Sequence, residues 1–293
     1  MQHLVDTNNF SDRQLVNIFN DAKSFKKEMP SQLLRDKLLI TLFFESSTRT
    51  RSSFEVAGKR LGASIVHLDP SKSSTLKGES LEDTFANLCA MEPDGVIIRH
   101  EYNNTPQKLA NKELTTVINA GAGNYAHPTQ ALLDYFTMLE HFQTDSLEGK
   151  TIAIVGDIVS SRVASSGIRL FTRMGMNVVL VAPKPFMPDN DLPKYEHLDE
   201  VIDSVDIIMS LRAQLERHKA PIFEDYKEYA KEYCITQERM GDRDILLLHP
   251  GPVMRNIDIS DEMLDDPRCK VLTQVKNGVF VRMAILKALL LDN

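Results

Sequence analysis

The chain has 293 residues, of which 42% are hydrophobic and 26% charged, an ordinary balance for a soluble globular protein and more chain than one core usually organises. Its formal net charge of −7 argues against general nucleic-acid binding, so any anion site has to be basic only locally. Three widely spaced cysteines, Cys89, Cys234 and Cys269, suggest reduced thiols in a cytoplasmic protein without zinc-type spacing; the first residues show no signal pattern, and no apolar run reaches membrane-spanning length.

Ser11-Asp12-Arg13-Gln14 reads as a capping box, with Leu15, Ile18, Phe19 and Ala22 following on one helix face. Leu38 to Phe43 is a buried-strand pattern that runs into Phe44-Glu45-Ser46-Ser47-Thr48-Arg49-Thr50-Arg51. Phe54, Ala57 and Leu61 then recur at helical spacing until Gly62, so Ser46 to Thr50 should form a strand-to-helix turn. Free N–H groups and the dipole of a helix start favour an anion above it. Hydroxyls from Ser47, Thr48 and Thr50, and guanidinium forks from Arg49 and Arg51, suit phosphate oxygens. The plain alternative is a helix cap beside solvated arginines. Three hydroxyls and two arginines in five positions exceed what a cap needs, and the stretch reads as a phosphate cradle. It is not a P-loop, because no G-x-x-x-x-G-K-[ST] occurs.

Ala63 to Leu68 is a second strand pattern, followed by a polar loop from Pro70 to Glu79 and a helix with Leu81, Phe85, Leu88 and Cys89 inward. Val96-Ile97-Ile98 is a short strand ending in Arg99-His100; Thr115 to Asn119 is another, ending in Gly121-Ala122-Gly123-Asn124. His127-Pro128-Thr129-Gln130 opens a helix carrying Leu132, Leu133, Phe136 and Leu139. The polar stretch Gln143 to Lys150 marks a domain boundary, and the alternation restarts with the strand and turn Thr151 to Asp157. A helix over Arg162 to Met174, a strand over Asn177 to Val181, a short helix over Leu198 to Val205 and a strand Ile207-Ile208-Met209 leading to Arg212 come next. Ala220 to Met240 is charged and tyrosine-rich, predicted helical and exposed. Ile245 to Leu248 is a strand ending in His249-Pro250-Gly251-Pro252, and Val279 to Leu291 is an apolar helix. No internal repeat is visible. The predicted fold class is α/β, with two doubly wound domains, each a parallel sheet flanked by helices.

In such sheets ligands bind beyond the carboxyl ends of strands. The polar residues with that address are Ser47 to Arg51, Arg99, His127 and Gln130 in the first half, and Arg162, Arg212, Gln214 and His249 to Pro252 in the second. Each has a plain explanation singly, as a salt bridge, a cap or surface charge. Together they predict a strongly anionic substrate pair in a cleft between domains, with Glu45 and Asp157 orienting arginines. A dinucleotide site is disfavoured, because Gly156 is followed by no glycine until Gly167. Metal-binding histidine spacing is missing too, so no cofactor or metal is expected, and without a G-x-S-x-G elbow a Ser-His-Asp nucleophile is disfavoured.

Ser47-Thr48-Arg49-Thr50-Arg51, with His127-Pro128-Thr129-Gln130, resembles the aspartate/ornithine carbamoyltransferase family, and its aspartate branch in particular, over about Leu38 to Leu290. The resemblance implies transfer of a carbamoyl group from carbamoyl phosphate to the amine of L-aspartate, an early step of pyrimidine synthesis. It implies a cytoplasmic homotrimer with active sites shared between subunits, no nucleic-acid or membrane partner, and leaves open a larger assembly with regulatory or pathway subunits. Residues 1–142, completed by a returning C-terminal helix at 279–293, would bind carbamoyl phosphate, and residues 143–278 aspartate.

By the same resemblance, Ser47, Thr48, Arg49 and Thr50 bind the phosphate, and Arg99 touches phosphate and carbonyl oxygen. His127 and Gln130 hold the carbamoyl group. Ser73 and Lys77 come from the neighbouring subunit, Lys77 serving both substrates. Arg162, Arg212 and Gln214 grip the aspartate carboxylates. Backbone carbonyls of Pro250 and Gly251 take the amine, and Gly251-Pro252, expected to be cis, also borders carbamoyl phosphate. Arg49, Thr50, Lys77, Arg99 and His127 are the catalytic set; Glu45 and Arg217 bridge domains on closure; Arg282 lies near the site. The family often reads His-Pro-Leu-Pro-Arg where this chain has His249-Pro250-Gly251-Pro252-Val253-Met254-Arg255.

An ornithine or other amino-acid carbamoyltransferase would share the donor half. The ornithine type usually carries cysteine where this chain has His249-Pro250, and a cationic acceptor calls for acids rather than Arg162 and Arg212. The alternative from another class is a non-catalytic anion-binding protein of this fold, which should have lost some of the arginines, hydroxyls or the His127/Gln130 pair.

Overall fold

The computed structural model describes residues 1–30, 32–69, 78–215 and 223–292. The chain forms two compact units, Met1–Leu133 with Val275–Asn293, and Asp134–Gln274. Ser73, Lys77 and Arg217 lie outside the described residues.

In the first unit, α1 (Asp12–Lys27) starts at the expected capping box: Ser11 Oγ accepts from Gln14 N, and the Gln14 side chain accepts from Ser11 N. Then come β1 (Leu38–Phe43), α2 (Thr48–Arg60), β2 (Ser64–Leu68), α3 (Leu81–Cys89), β3 (Gly95–His100), α4 (Thr105–Ala110), β4 (Thr116–Ala122) and α5 (Pro128–Phe142). The sheet is wholly parallel, in the order β2-β1-β3-β4. β1, β3 and β4 are buried almost throughout, which is why they read as continuous apolar runs; β2 is the exposed edge.

The second unit holds β5 (Thr151–Val155), α6 (Arg162–Arg173), β6 (Asn177–Val181), β7 (Lys194–Tyr195), β8 (Ile207–Ser210), α7 (Tyr226–Tyr233), α8 (Gln237–Met240), β9 (Leu246–Leu248) and α9 (Asp261–Leu264). Its parallel sheet runs β7-β6-β5-β8-β9. The last helix, α10 (Val271–Leu290), returns to the first unit from Val275 onward. The division between units thus falls within α5 and α10, and Asp134 and Gln274, bonded at 2.7 Å, belong to the second.

Three expectations change. The segment expected to be one exposed helix over 220–240 contains two short helices from Tyr226, and 220–222 lie outside the described residues. Tyr229 and Tyr233, four apart on α7, are buried with stacked rings 5.0 Å apart, because charge occupies only the outer face. Leu198 to Val205 forms two 3-10 turns rather than a helix. α10 begins at Val271 rather than Val279; its first turn exposes Leu272, so no apolar stripe announced it.

In both sheets the strand order reverses at one point, between β1 and β3 in the first unit and between β5 and β8 in the second. Each switch point is clamped at the amino ends of its strands by the same device. Asp94 accepts from Leu38 N at 2.8 Å and from Lys37 Nζ at 2.9 Å. Asp206 accepts from Thr151 N at 2.8 Å and from Lys150 Nζ at 2.6 Å.

Candidate active site

At the first switch point the chain leaves β1 at Phe43 and enters α2 at Thr48. Ser47 stands at the N-cap position with φ −156° and ψ 83°, but makes no side-chain cap bond. Its Oγ accepts from Arg99 Nη1 at 3.2 Å instead. Register explains the meeting: Arg99 on β3 pairs with Phe43, and its carbonyl accepts from Phe44 N at 3.0 Å, which sets its side chain at the turn. Arg99 Nε also donates to Glu45 Oε2 at 3.1 Å, so Glu45 orients this arginine as expected from sequence.

The first α2 ladder bond runs from Arg51 N to Ser47 O at 3.2 Å, leaving the amides of Thr48, Arg49 and Thr50 ahead of the ladder. Thr48 and Arg49 are exposed at this start. Desolvation holds the Arg49 guanidinium below its ordinary value, and among the described residues no carboxylate pairs with it. Thr50 is buried, with Oγ1 3.5 Å from Nε2 of the buried His127. A tight reversal delivers His127: Ala122 N donates to Ala126 O at 2.8 Å, and Gly123 has φ +48° where a Cβ would overlap Asn103 Oδ1. Gln130 follows, buried, in the first turn of α5.

Arg51 does not join this cluster. Two helix positions from Arg49, it points about 200° away. It bonds His67 Nε2 at 2.8 Å and pairs with Glu55 at 3.5 Å. Behind the cluster, buried Arg282 donates to Ser53 Oγ at 3.1 Å, Gly278 O at 3.2 Å and Thr129 Oγ1 at 3.2 Å, and lies over the Phe54 ring. It ties α2, α5 and α10 together.

At the second switch point, Arg162 is the buried first residue of α6, whose cap Ser161 accepts from Ala164 N at 3.2 Å. Arg212 and Gln214 follow β8, and Gln214 Nε2 donates to Ser160 O at 3.4 Å, joining this loop to the one after β5. Asp157 Oδ1 accepts from Ser160 N at 3.3 Å. Gly156, at φ +115°, lies so close to Tyr229 that a Cβ would stand 2.8 Å from its hydroxyl oxygen. Burial, then the charges of Asp258 and Asp157, push the Tyr229 hydroxyl well above its ordinary range. After β9 come Pro250 and a cis Gly251–Pro252 bond. Arg255 is exposed and bonded to Asp261 Oδ1 at 2.6 Å.

The sequence reading missed Asp258, which is buried where the loops after β8 and β9 meet. Its partners Met254, His249 and Ala213 lie 4, 9 and 45 residues away, so no short motif assembles the set. Among the described residues no cluster of three His, Cys, Asp or Glu is placed to hold a metal, and no helix is long and apolar enough to cross a membrane.

Two domain models match the chain: the aspartate/ornithine carbamoyltransferase carbamoyl-P binding domain over residues 2–140, and the Asp/Orn binding domain of the same enzymes over residues 148–289. The chain belongs to the aspartate/ornithine carbamoyltransferase family. It is 77% identical over 293 residues to an aspartate carbamoyltransferase catalytic subunit of a Sulfurovum species, covering 100% of this chain and 99% of that one. The corresponding subunit of a Nitratiruptor species is 56% identical over 291 residues, covering 99% of both. Among solved structures, the catalytic subunit of M. jannaschii aspartate transcarbamoylase superposes with a TM-score of 0.86 at 32% identity, covering 100% of this chain and 99% of that one. Aspartate transcarbamoylase from Trypanosoma cruzi in complex with N-(phosphonacetyl)-L-aspartic acid gives 0.88 at 29% identity, covering 97% and 94%. In carbamoyltransferase terms, the first switch point lies within the carbamoyl-P model and the second within the Asp/Orn model.

Proposed function

We propose that this chain transfers the carbamoyl group of carbamoyl phosphate to the amine of L-aspartate, giving N-carbamoyl-L-aspartate and phosphate. The observation that carries the reading is the content of the two switch points. One gathers hydroxyls, helix-start amides, Arg99 and the Thr50–His127 pair, suited to a phosphate and a carbonyl; the other offers Arg162, Arg212 and Gln214, suited to carboxylates.

In this reading the phosphate takes the start of α2, bound by Ser47, Thr48, Arg49 and Thr50. It competes with Glu45 for Arg99, so donor binding frees the Glu45 carboxylate for a new partner such as Arg217 on closure. Arg99, Thr50 and His127 aim donors at the carbonyl oxygen, with Gln130 on the carbamoyl amide. Attack forms the N–C bond and shifts charge onto that oxygen; collapse breaks the C–O bond to phosphate, which carries away the amine proton. Each donor aimed at the developing oxyanion contributes about a hundredfold or more, and holding amine and carbonyl in line contributes further. Arg162 and Arg212 hold the two acceptor carboxylates with Gln214, and the carbonyls of Pro250 and Gly251 take the amine. A cationic ornithine side chain would meet like charge there.

In this reading residues 1–142 with 279–293 form the carbamoyl phosphate-binding domain and 143–278 the aspartate-binding domain, bounds a few residues beyond those of the two compact units. The working form is a cytoplasmic homotrimer in which a neighbour donates Ser73 and Lys77, with larger assemblies left open. Supporting this, β2 is an exposed edge strand bearing Val66, apolar surface that a second copy would cover, and the three cysteines are free thiols. The deciding assay offers carbamoyl phosphate with L-aspartate or with L-ornithine. Product with aspartate is expected; product with ornithine alone contradicts the acceptor assignment, and no phosphate release with any amine returns the non-catalytic reading.

A further inference from the structure

We infer that Asp258 is a positioning residue for the acceptor: it fixes the loop carrying Arg212 and Gln214 and the loop carrying Pro250 and Gly251 in one mutual register. The inference rests on the function proposed above. Asp258 is fully buried, and both carboxylate oxygens are spent on these loops. Oδ1 accepts from Ala213 N at 3.0 Å, the amide between Arg212 and Gln214. Oδ2 accepts from Met254 N at 2.8 Å and meets His249 Nε2 at 3.1 Å. The backbone of Asp258 is pinned as well, its carbonyl accepting from Ile235 N at 3.0 Å and from Ser210 Oγ at 3.3 Å.

The His249 ring extends this hold to Gly251. Gly251 N donates to His249 Nδ1 at 2.8 Å, so that nitrogen presents its lone pair and the proton sits on Nε2, donated to Asp258. His249 is held in turn: its amide donates to Gln274 Oε1 at 3.0 Å, and Gln274 Nε2 donates to Asp134 Oδ1 at 2.7 Å. A buried carboxylate is costly unless its oxygens are satisfied. Here three N–H donors satisfy it, and two come from the segments that carry the acceptor residues, the third from the ring that fixes Gly251. Buried and enclosed by protein donors, the carboxylate acts through Ala213 N and His249.

The test measures aspartate KM, kcat and carbamoyl phosphate affinity in Asp258→Asn, whose amide can satisfy only part of the donor set. Loss of a hydrogen bond to a buried charge predicts a rise in aspartate KM of about tenfold or more, with carbamoyl phosphate affinity by calorimetry weakened clearly less, since Gly251 and Pro252 alone of these loops border the donor. Two further variants guard against misfolding. His249→Gln keeps a donor toward Asp258, whereas His249→Asn keeps only the acceptor for Gly251 N; aspartate KM should rise more in His249→Asn. Wild-type aspartate KM in Asp258→Asn, an equal loss of donor affinity, or equal effects of the two His249 variants overturns the positioning role. A wild-type protein that carbamoylates no aspartate overturns the proposed function and this inference together; active wild type with an indifferent Asp258→Asn overturns the inference alone.

Discussion

Ser47 occupies the position from which a serine ordinarily caps a helix, yet its hydroxyl accepts from Arg99 and makes no cap bond. With no side-chain cap from Ser47, the first amides of α2 stay available as donors, the arrangement that favours an anion at a helix start. The next residue on β3, His100, shows what the neighbourhood costs. It packs against Phe44 and Tyr102, and its Nδ1 accepts from Tyr102 N at 3.1 Å. Burial holds its pKa below 6.5, against smaller opposing contributions from Glu101, Glu45 and Glu82. In the window between its folded pKa and 6.5 the unfolded chain binds the extra proton, so stability is present above that window and is lost as pH falls through it. His100→Asn keeps an acceptor and removes the titration; denaturant unfolding at about pH 7.5 and about pH 5.5 should show a smaller acid loss in the variant than in wild type, and equal losses would discard the assignment. Ser47 to Thr50 were legible because they adjoin one another at a strand-to-helix turn, and Arg99 and His127, 52 and 77 residues from their partners, because each follows a strand pattern. Arg51 was misread as part of this cluster because the linear motif ignores helical rotation, and Asp258 was invisible because its link to the loop after β8, through Ala213 N 45 residues away, is made only by packing.

The two Asp–Lys clamps belong to the scale of elements. In each, one acid ahead of a strand holds both the lysine and the first amide of the neighbouring strand at the switch point. The Lys150–Asp206 pair is partly exposed, 38% and 32% by side chain, and such pairs contribute about 0–1 kcal/mol. The backbone bond from Thr151 N matters more, since its loss leaves a strand amide unpaired. Asp206→Ala should therefore cost about 1–3 kcal/mol in denaturant unfolding and Asp206→Asn clearly less; equal costs would mean that the ion pair, not the amide, holds the strand. Long buried strands and α1 were readable from apolar runs and a capping box. β7, α4 and α9 were not, because two to six residues carry too little periodicity. The α7 tyrosines were misjudged because their aromatic face was outnumbered by charges.

Across the whole molecule, a chain of net charge −7 places Arg49 and Arg99 at one switch point and Arg162 and Arg212 at the other. Both units repeat this plan, with a clamp at the amino ends of the switch strands and polar residues at their carboxyl ends, although the sequence shows no repeat. The account holds that both sets of arginines act on one pair of acids. Calorimetric titration with N-(phosphonacetyl)-L-aspartic acid, the ligand in the Trypanosoma cruzi structure, tests this most directly. The account expects binding by wild type, weakened about tenfold or more by Arg99→Ala in the first unit and, separately, by Arg212→Ala in the second. Undiminished affinity in either variant would contradict it.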